Sequence, residues 1–243
     1  MILNAEGFNF KAPEVISRAR RVLIKPSAGC AALYPVTTSA SLLSNVIQGI
    51  RQISDADIVI LEGTADGSPA YPIFQKLGYS FPRVITLDVR DTIQVEVENP
   101  LSKPLAVPTF WLPNVILSTD YLISVAPLKV IGGRGHLSIM NLLSLLPSSK
   151  YDGEAPGGWC ALFNLGIDKV LTDLYFTLPF DMGIIEGREV LRSEGDPVKD
   201  KTEPFGKIFI GDPYEVDLEA SSALGLKNEY LDLIRGTKVE LGT

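Results

Sequence analysis

Three unbroken apolar runs of strand length, alternating with helix-like patterns, leave this chain few folds to choose from. "RRVLIKP" carries Val22, Leu23 and Ile24 in a row, "ADIVILEG" carries Ile58 to Leu61, and "RVITLDV" carries Val84 to Leu87 with one threonine inside. A strand with one wet face alternates apolar and polar residues, whereas a run without alternation is covered on both faces. Between the first two runs, "TTSASLLSNVIQGIRQI" places Leu42, Val46, Ile47 and Ile50 on one helical face. Between the second and third, "PAYPIFQKLGY" reads as a short helix with Gly78 as its C-cap. The expectation is an α/β fold, a mostly parallel sheet with helices on both faces.

The pattern changes in the middle. "DTIQVEVENPLSKPLAVPTFWLP" alternates Ile93, Val95 and Val97 with polar neighbours and then runs through prolines, which predicts a small antiparallel excursion near residues 91–112. "DYLISVAPLKV" returns to a buried strand. "GHLSIMNLLSLLP" reads as a helix stopped by Pro147, "SSKYDGEAPGGW" as a loop, and "ALFNLGIDKVLTDLYFTL" as a long helical stretch. "FDMGIIEG" and "KIFIGD" are predicted strands, separated by a charged surface loop or extended excursion. "PYEVDLEASSALGL" and "NEYLDLIRG" are predicted to close the chain as short helices.

With 243 residues, 46% hydrophobic and 21% charged, the chain suits one α/β domain over 1–243 with a sizeable core. A formal charge of −7 gives no basic field to hold nucleic acid. The two cysteines, Cys30 and Cys160, are too few for a cysteine-ligated iron–sulfur cluster or a four-cysteine zinc site. They also offer no disulfide framework, so a reducing cytoplasm is the expected location. "MILNAEGFNFKAPE" lacks the basic n-region and apolar stretch of a signal peptide, and no run reaches the ~20 apolar residues of a membrane span.

An ionisable residue follows each of six apolar runs: Lys25, Glu62, Asp88, Lys129, Glu186 and Asp212. In a parallel sheet the carboxyl ends of the strands share one edge, where open α/β folds form their ligand crevice. Inside a strand a lone charge is costly, but at the rim it can be hydrated or paired. Two lysines and several carboxylates are therefore expected to converge on one crevice, against the plainer reading that strands end in polar residues because they surface. Gly63, Gly133 and Gly187 place permissive backbone near the same ends. "GGRG" before a predicted helix offers backbone N–H groups and Arg134 to an anion, although it matches neither Walker A nor a full GxGxxG. Thr37 and Thr38 open another helix, where N-capping is the plainer role. The lone histidine, His136, falls at a predicted helix start and suits capping or packing better than catalysis. Glu62, Glu186, Asp212 and Asp217 are carboxylates of the kind that hold a divalent cation such as Mg²⁺ or Ca²⁺.

Taken in order, these segments resemble the conserved proteins of domain-of-unknown-function family 362. The resemblance runs through "IKPS" (Lys25-Pro26-Ser27), the threonine-led helix from Thr37 and Thr38, Glu62-Gly63, "PLKVI", "MNL" with Asn141, Glu186-Gly187 with "EGDP" at 194–197, and "GDPYEVD". It spans roughly residues 20–236, and "GDPYEVD" with "EGDP" is its most specific part. The chain departs from the family pattern at Ser27, where the family has asparagine. It departs again at Val130 and Ile131, where the family has threonine and histidine, and at Met140, where it has lysine. Family members often carry a ferredoxin-like cluster domain, so the resemblance implies a redox setting in which the cluster would sit on a separate partner.

Two functions follow as expectations. In the first, an enzyme acts on a small anionic metabolite: Lys25 and Lys129 bind or polarise it, and Glu62, Glu186 or Asp212 holds a metal or transfers protons. Thr37, Thr38, Gly63, Gly133, Arg134, Asn141, Gly187 and Asp217 would help to bind the ligand. In the second, a binding or accessory protein keeps the crevice without turnover. A homo-oligomer is compatible with both.

Overall fold

The apolar runs become neighbouring strands of one sheet. The structure is a computed structural model and describes residues 1–152, 158–178, 180–194 and 200–242. The first strands are β1 (Ile2–Asn4), β2 (Arg21–Pro26), β3 (Asp57–Glu62) and β4 (Val84–Asp88). β5 (Gln94–Glu98) and β6 (Thr109–Pro113) follow, then β7 (Tyr121–Ile131), β8 (Arg134–His136), β9 (Met182–Ser193) and β10 (Lys201–Gly211). The main sheet runs β1-β10-β9-β7-β2-β3-β4, with β8 paired to β7. It is parallel from β9 through β7, β2 and β3 to β4, and antiparallel where β10 and β1 join.

Helices cover both faces, as a sheet of doubly buried strands requires. On one face lie α1 (Ala40–Arg51) and α2 (Tyr71–Leu77), which bury Leu42, Leu43, Val46, Ile47, Ile50, Ile73, Phe74 and Leu77 against Ile24, Ile58, Ile60 and Ile123. Ser39 caps α1 by accepting a hydrogen bond from the Leu42 N–H at 3.1 Å, and Gly78 ends α2 at φ 74°. The other face carries α4 (Cys160–Asn164), α5 (Ile167–Thr177) and α7 (Glu229–Leu241), together with the β5–β6 hairpin. Asp173 of α5 fixes the connection between the two strands of that hairpin by accepting the N–H groups of Leu105, Ala106 and Val107. α3 (Asn114–Leu117) and α6 (Pro213–Leu224) complete the set. Among the described residues, no helix is long and apolar enough to cross a membrane.

Three elements differ from the sequence reading, two of them because of long-range pairing and one because of a local glycine. "GHLSIMNLLSLLP" does not begin as a helix: Arg134–His136 turns back as β8, placing His136 opposite Lys129, and only Met140–Leu145 coils, as a 3₁₀ turn. The long helical stretch breaks at Gly166, whose φ of 91° leaves α4 and α5 as separate helices. Glu186 does not end its strand, because β9 continues to Ser193 as one arm of a hairpin with β10. The "EGDP" segment begins at Glu194, and its residues 195–197 lie outside the described residues, as do 153–157 of the "SSKYDGEAPGGW" segment.

Strand lengths create the site. β2 stops at Pro26, opposite Val125 of β7, whereas β7 runs on to Ile131 and pairs there with β8. The sheet therefore steps outward beyond the carboxyl ends of β2 and β3, and the step is one wall of a crevice.

Candidate functional site

Glu62 ends β3 fully buried, so its charge must be met from within the protein. Lys25, also fully buried, meets it with its ammonium 2.9 Å from Oε1 and 3.0 Å from Oε2. The remaining acceptor positions of Glu62 are filled by the Ala28 N–H at 2.6 Å, the Gly63 N–H at 3.0 Å and the Ser144 hydroxyl at 2.5 Å. Lys25 spends its other N–H bonds on the Pro26 carbonyl and on Asn141 Oδ1 at 3.2 Å. An ammonium has three donors and a carboxylate about four acceptor sites, so both are saturated by the protein. Burial pulls Lys25 below the usual lysine range, and Glu62 opposes that pull. Gly63 is needed here for space: a Cβ would stand 2.7 Å from the Ser144 carbonyl oxygen.

Above this sealed pair opens a cavity of about 360 Å³ lined by Ser27, Cys30, Thr37, Glu62, Lys129, His136, Asn141 and Ser144 on its polar side. Leu137, Met140, Leu143, Trp159 and Phe163 supply much of the rest. Lys129 donates to Ser27 Oγ at 3.0 Å and to the Val36 carbonyl at 3.1 Å, both neutral acceptors. It makes no ion pair among the described residues. Burial lowers Lys129 to about 8, with Cys30 and Glu62 pulling it up and Lys25 pushing it down. His136 is lowered to about 4 by burial, then by the neighbouring charges of Lys129 and Arg134, so it is uncharged at neutral pH.

The depressed histidine has a consequence for stability. An unfolded chain takes up the proton near the usual 6.5, the folded one only near 4. Stability from the neutral imidazole is therefore complete above 6.5 and lost as pH falls towards 4, by at most about 3 kcal/mol. His136→Gln is expected to flatten the stability slope across that window relative to wild type, measured by urea unfolding. Because the chain has one histidine, a single imidazole NMR signal should titrate near 4; titration near 6.5 would contradict the placement.

The remaining sequence candidates divide. Asn141 belongs to the site and bridges Lys25 to Ser124, and Thr37 lines the cavity while donating to the Ala32 carbonyl. Thr38 sits one layer behind, accepting the Ser27 N–H and donating to the Val125 carbonyl. Glu186 is buried on β9 and tied to the Ser39 N–H, the Ser39 hydroxyl and Arg188; burial raises its carboxyl against these partners. Gly187 is packed in the β9–β10 pairing, where a Cβ would meet the Lys207 carbonyl oxygen at 2.9 Å. Gly133 turns the β7–β8 hairpin at φ 74°, and Arg134 pairs with Asp168 of α5, so "GGRG" is a hairpin turn and not a helix N-terminus. Asp212 lies apart: β10 is antiparallel to β9, which sets Gly211 beside Gly183 at the amino end of β9, and Asp212 there caps α6 by accepting the Glu215 N–H.

Asp217 supports the site from behind. Fully buried on α6, it accepts the Ser138 N–H, the Ser138 hydroxyl, the Ile139 N–H and the Tyr230 hydroxyl. Burial raises it to about 6, so it is a carboxylate at neutral pH. Ser138 then accepts from Ser124, which accepts from Asn141, which accepts from Lys25. The carboxylates offered to a divalent cation thus do not fit one: each is held separately by N–H and O–H donors or a cation of the protein, and Glu62 has Lys25 against both oxygens. The residues missed by sequence reasoning are Ser27, Ser144, Cys30 and the apolar wall with Trp159 and Phe163. "IKPS" was the one local signal that pointed at Ser27.

A family model described as a domain of unknown function, DUF362, matches residues 22–222. The chain belongs to this family. The match contains every element that builds the DUF362 cavity, from β2 through the Trp159–Phe163 segment to α6 with Asp217. At the family-pattern departures in this DUF362 chain, Val130 packs in an apolar cluster, Ile131 pairs opposite Arg134 at the hairpin, and Met140 lines the cavity. No curated protein matches the chain.

Proposed function

We propose that the cavity beyond β2 and β3 binds a small anionic metabolite, with Lys129 supplying the charge. One observation carries this reading: Lys129 reaches a small-molecule-sized cavity with only neutral hydrogen-bond partners, so its positive charge has no carboxylate to meet it within the described residues. Lys25 and Glu62 serve as a neutral floor, since neither retains a donor or acceptor for a ligand. A reducing cytoplasm suits a protein that keeps Cys30 as an exposed free thiol at the cavity.

Titration calorimetry with carboxylated and phosphorylated metabolites tests the reading. Lys129→Met is expected to weaken whichever anion binds by about tenfold or more, corresponding to the loss of a charge-assisted hydrogen bond. The pH profile has a defined sign. Anion binding needs the protonated amine, so affinity should hold below about 8 and fall about tenfold per pH unit above it. Anion binding that is indifferent to Lys129→Met and flat through that range would refute the assignment.

A second reading, an enzyme, is favoured by the pairing of Lys129, lowered to about 8, with the neutral imidazole of His136 directly opposite on β8. Binding accompanied by consumption of the ligand, and lost in His136→Gln with affinity retained, would select it.

A further inference from the structure

We infer that the ligand is a monoanionic carboxylate attached to an apolar body of aromatic size, and not a phosphate ester. The inference rests on the anion-site reading above and narrows it to a chemical class.

Charge comes first. Among the described residues, the ionisable groups on the cavity besides the free thiol of Cys30 are Glu62, neutralised by Lys25, His136, uncharged at neutral pH, and Lys129, whose ammonium is left as the uncompensated charge. Arg134, whose charge acts on His136, is committed to Asp168. A phosphate monoester carries close to two negative charges at neutral pH, and one of them would be left without a partner in a desolvated site. The glycine turn at Gly132 and Gly133, which would have been the backbone cradle for such a group, does not line the cavity.

Shape and polarity point the same way. A volume of about 360 Å³ far exceeds what an inorganic anion fills, given that one water occupies about 30 Å³ in the liquid. Leu137, Met140, Leu143 and Trp159 offer apolar surface that a sugar or polyol would leave badly paired. Phe163 lines the cavity and yet is 46% exposed, so an apolar ligand body would remove ring surface from water on binding.

The test is calorimetry near pH 7 with four probes: 3-phenylpropionate, its neutral amide, phenyl phosphate and inorganic phosphate. The carboxylate is expected to bind one to one and about tenfold or more tighter than the amide, a comparison on wild-type protein that needs no variant. Lys129→Met should erase that preference, and Phe163→Ser, at an exposed position, should weaken the carboxylate several-fold. Phenyl phosphate binding in preference to the carboxylate, and lost in Lys129→Met, overturns the class while leaving the anion site standing. Failure of all four probes to bind wild type also overturns the class. Equal affinity of the carboxylate for wild type and a folded Lys129→Met overturns both.

Discussion

Lys25→Met is expected to lower folding stability by about 3–5 kcal/mol, read as a fall in the urea midpoint, and Glu62→Gln by a comparable amount. Both side chains are fully buried, and each is the only charge in contact with the other among the described residues. Removing one strands its partner in a medium where an isolated ion is several kcal/mol less favourable than in water. Lys25→Met also takes a donor from Asn141, and it leaves Glu62 to the Ala28 and Gly63 N–H groups and Ser144 alone. The same physics predicts that the double variant Lys25→Met/Glu62→Gln recovers part of the loss, because no unpaired charge remains and the amide oxygen keeps an acceptor for the neighbouring N–H groups. A double-mutant cycle should therefore show coupling well above about 1 kcal/mol. Strict additivity, or a single-variant loss below about 1 kcal/mol, would mean that the pair is hydrated and that the floor of the cavity is open.

How far the sequence foresaw this arrangement depended on whether the signal was local. β2, β3 and α1 were legible because unbroken apolar runs and a 3.6-residue period are properties of a few neighbouring residues. The β5–β6 hairpin was legible for the same reason, from the alternation through Val95 and Val97. The convergence of Lys25, Glu62 and Lys129 was legible only because parallel strands put their carboxyl ends together. That inference needs strand direction, which composition does not encode. It failed at Asp212, where β10 runs the other way, and at Glu186, where β9 outruns its apolar run. His136 was read as a helix start because "GHLSIMNLL" has a helical period, whereas pairing with the overhanging end of β7 overrode it. The apolar wall was invisible for a different reason: Trp159 and Phe163 belong to a separate stretch of the chain, and no spacing rule connects them to Lys129.

Asp217→Ala is expected to remove at least about 3 kcal/mol, because four donors lose their acceptor and a buried unsatisfied group costs about 1–3 kcal/mol. Two of those donors are the backbone N–H groups of Ser138 and Ile139, which hold the chain where it leaves β8 and enters the 3₁₀ turn bearing Asn141 and Ser144. The damage should therefore reach the cavity, although Asp217 does not line it. Asp217→Asn keeps one carbonyl oxygen for the Ser138 groups but turns an amide donor towards the remaining ones, so it should fall between wild type and Asp217→Ala. Tyr230→Phe removes one donor together with its demand and should cost no more than about 1.5 kcal/mol. If the network positions Asn141 and Ser144, probe affinity should decline in the order wild type, Asp217→Asn, Asp217→Ala at temperatures where all three remain folded. A folded Asp217→Ala that binds as wild type does would confine the aspartate to holding α6 and α7 on the sheet, and the cavity would then owe its shape to the Lys25–Glu62 floor alone.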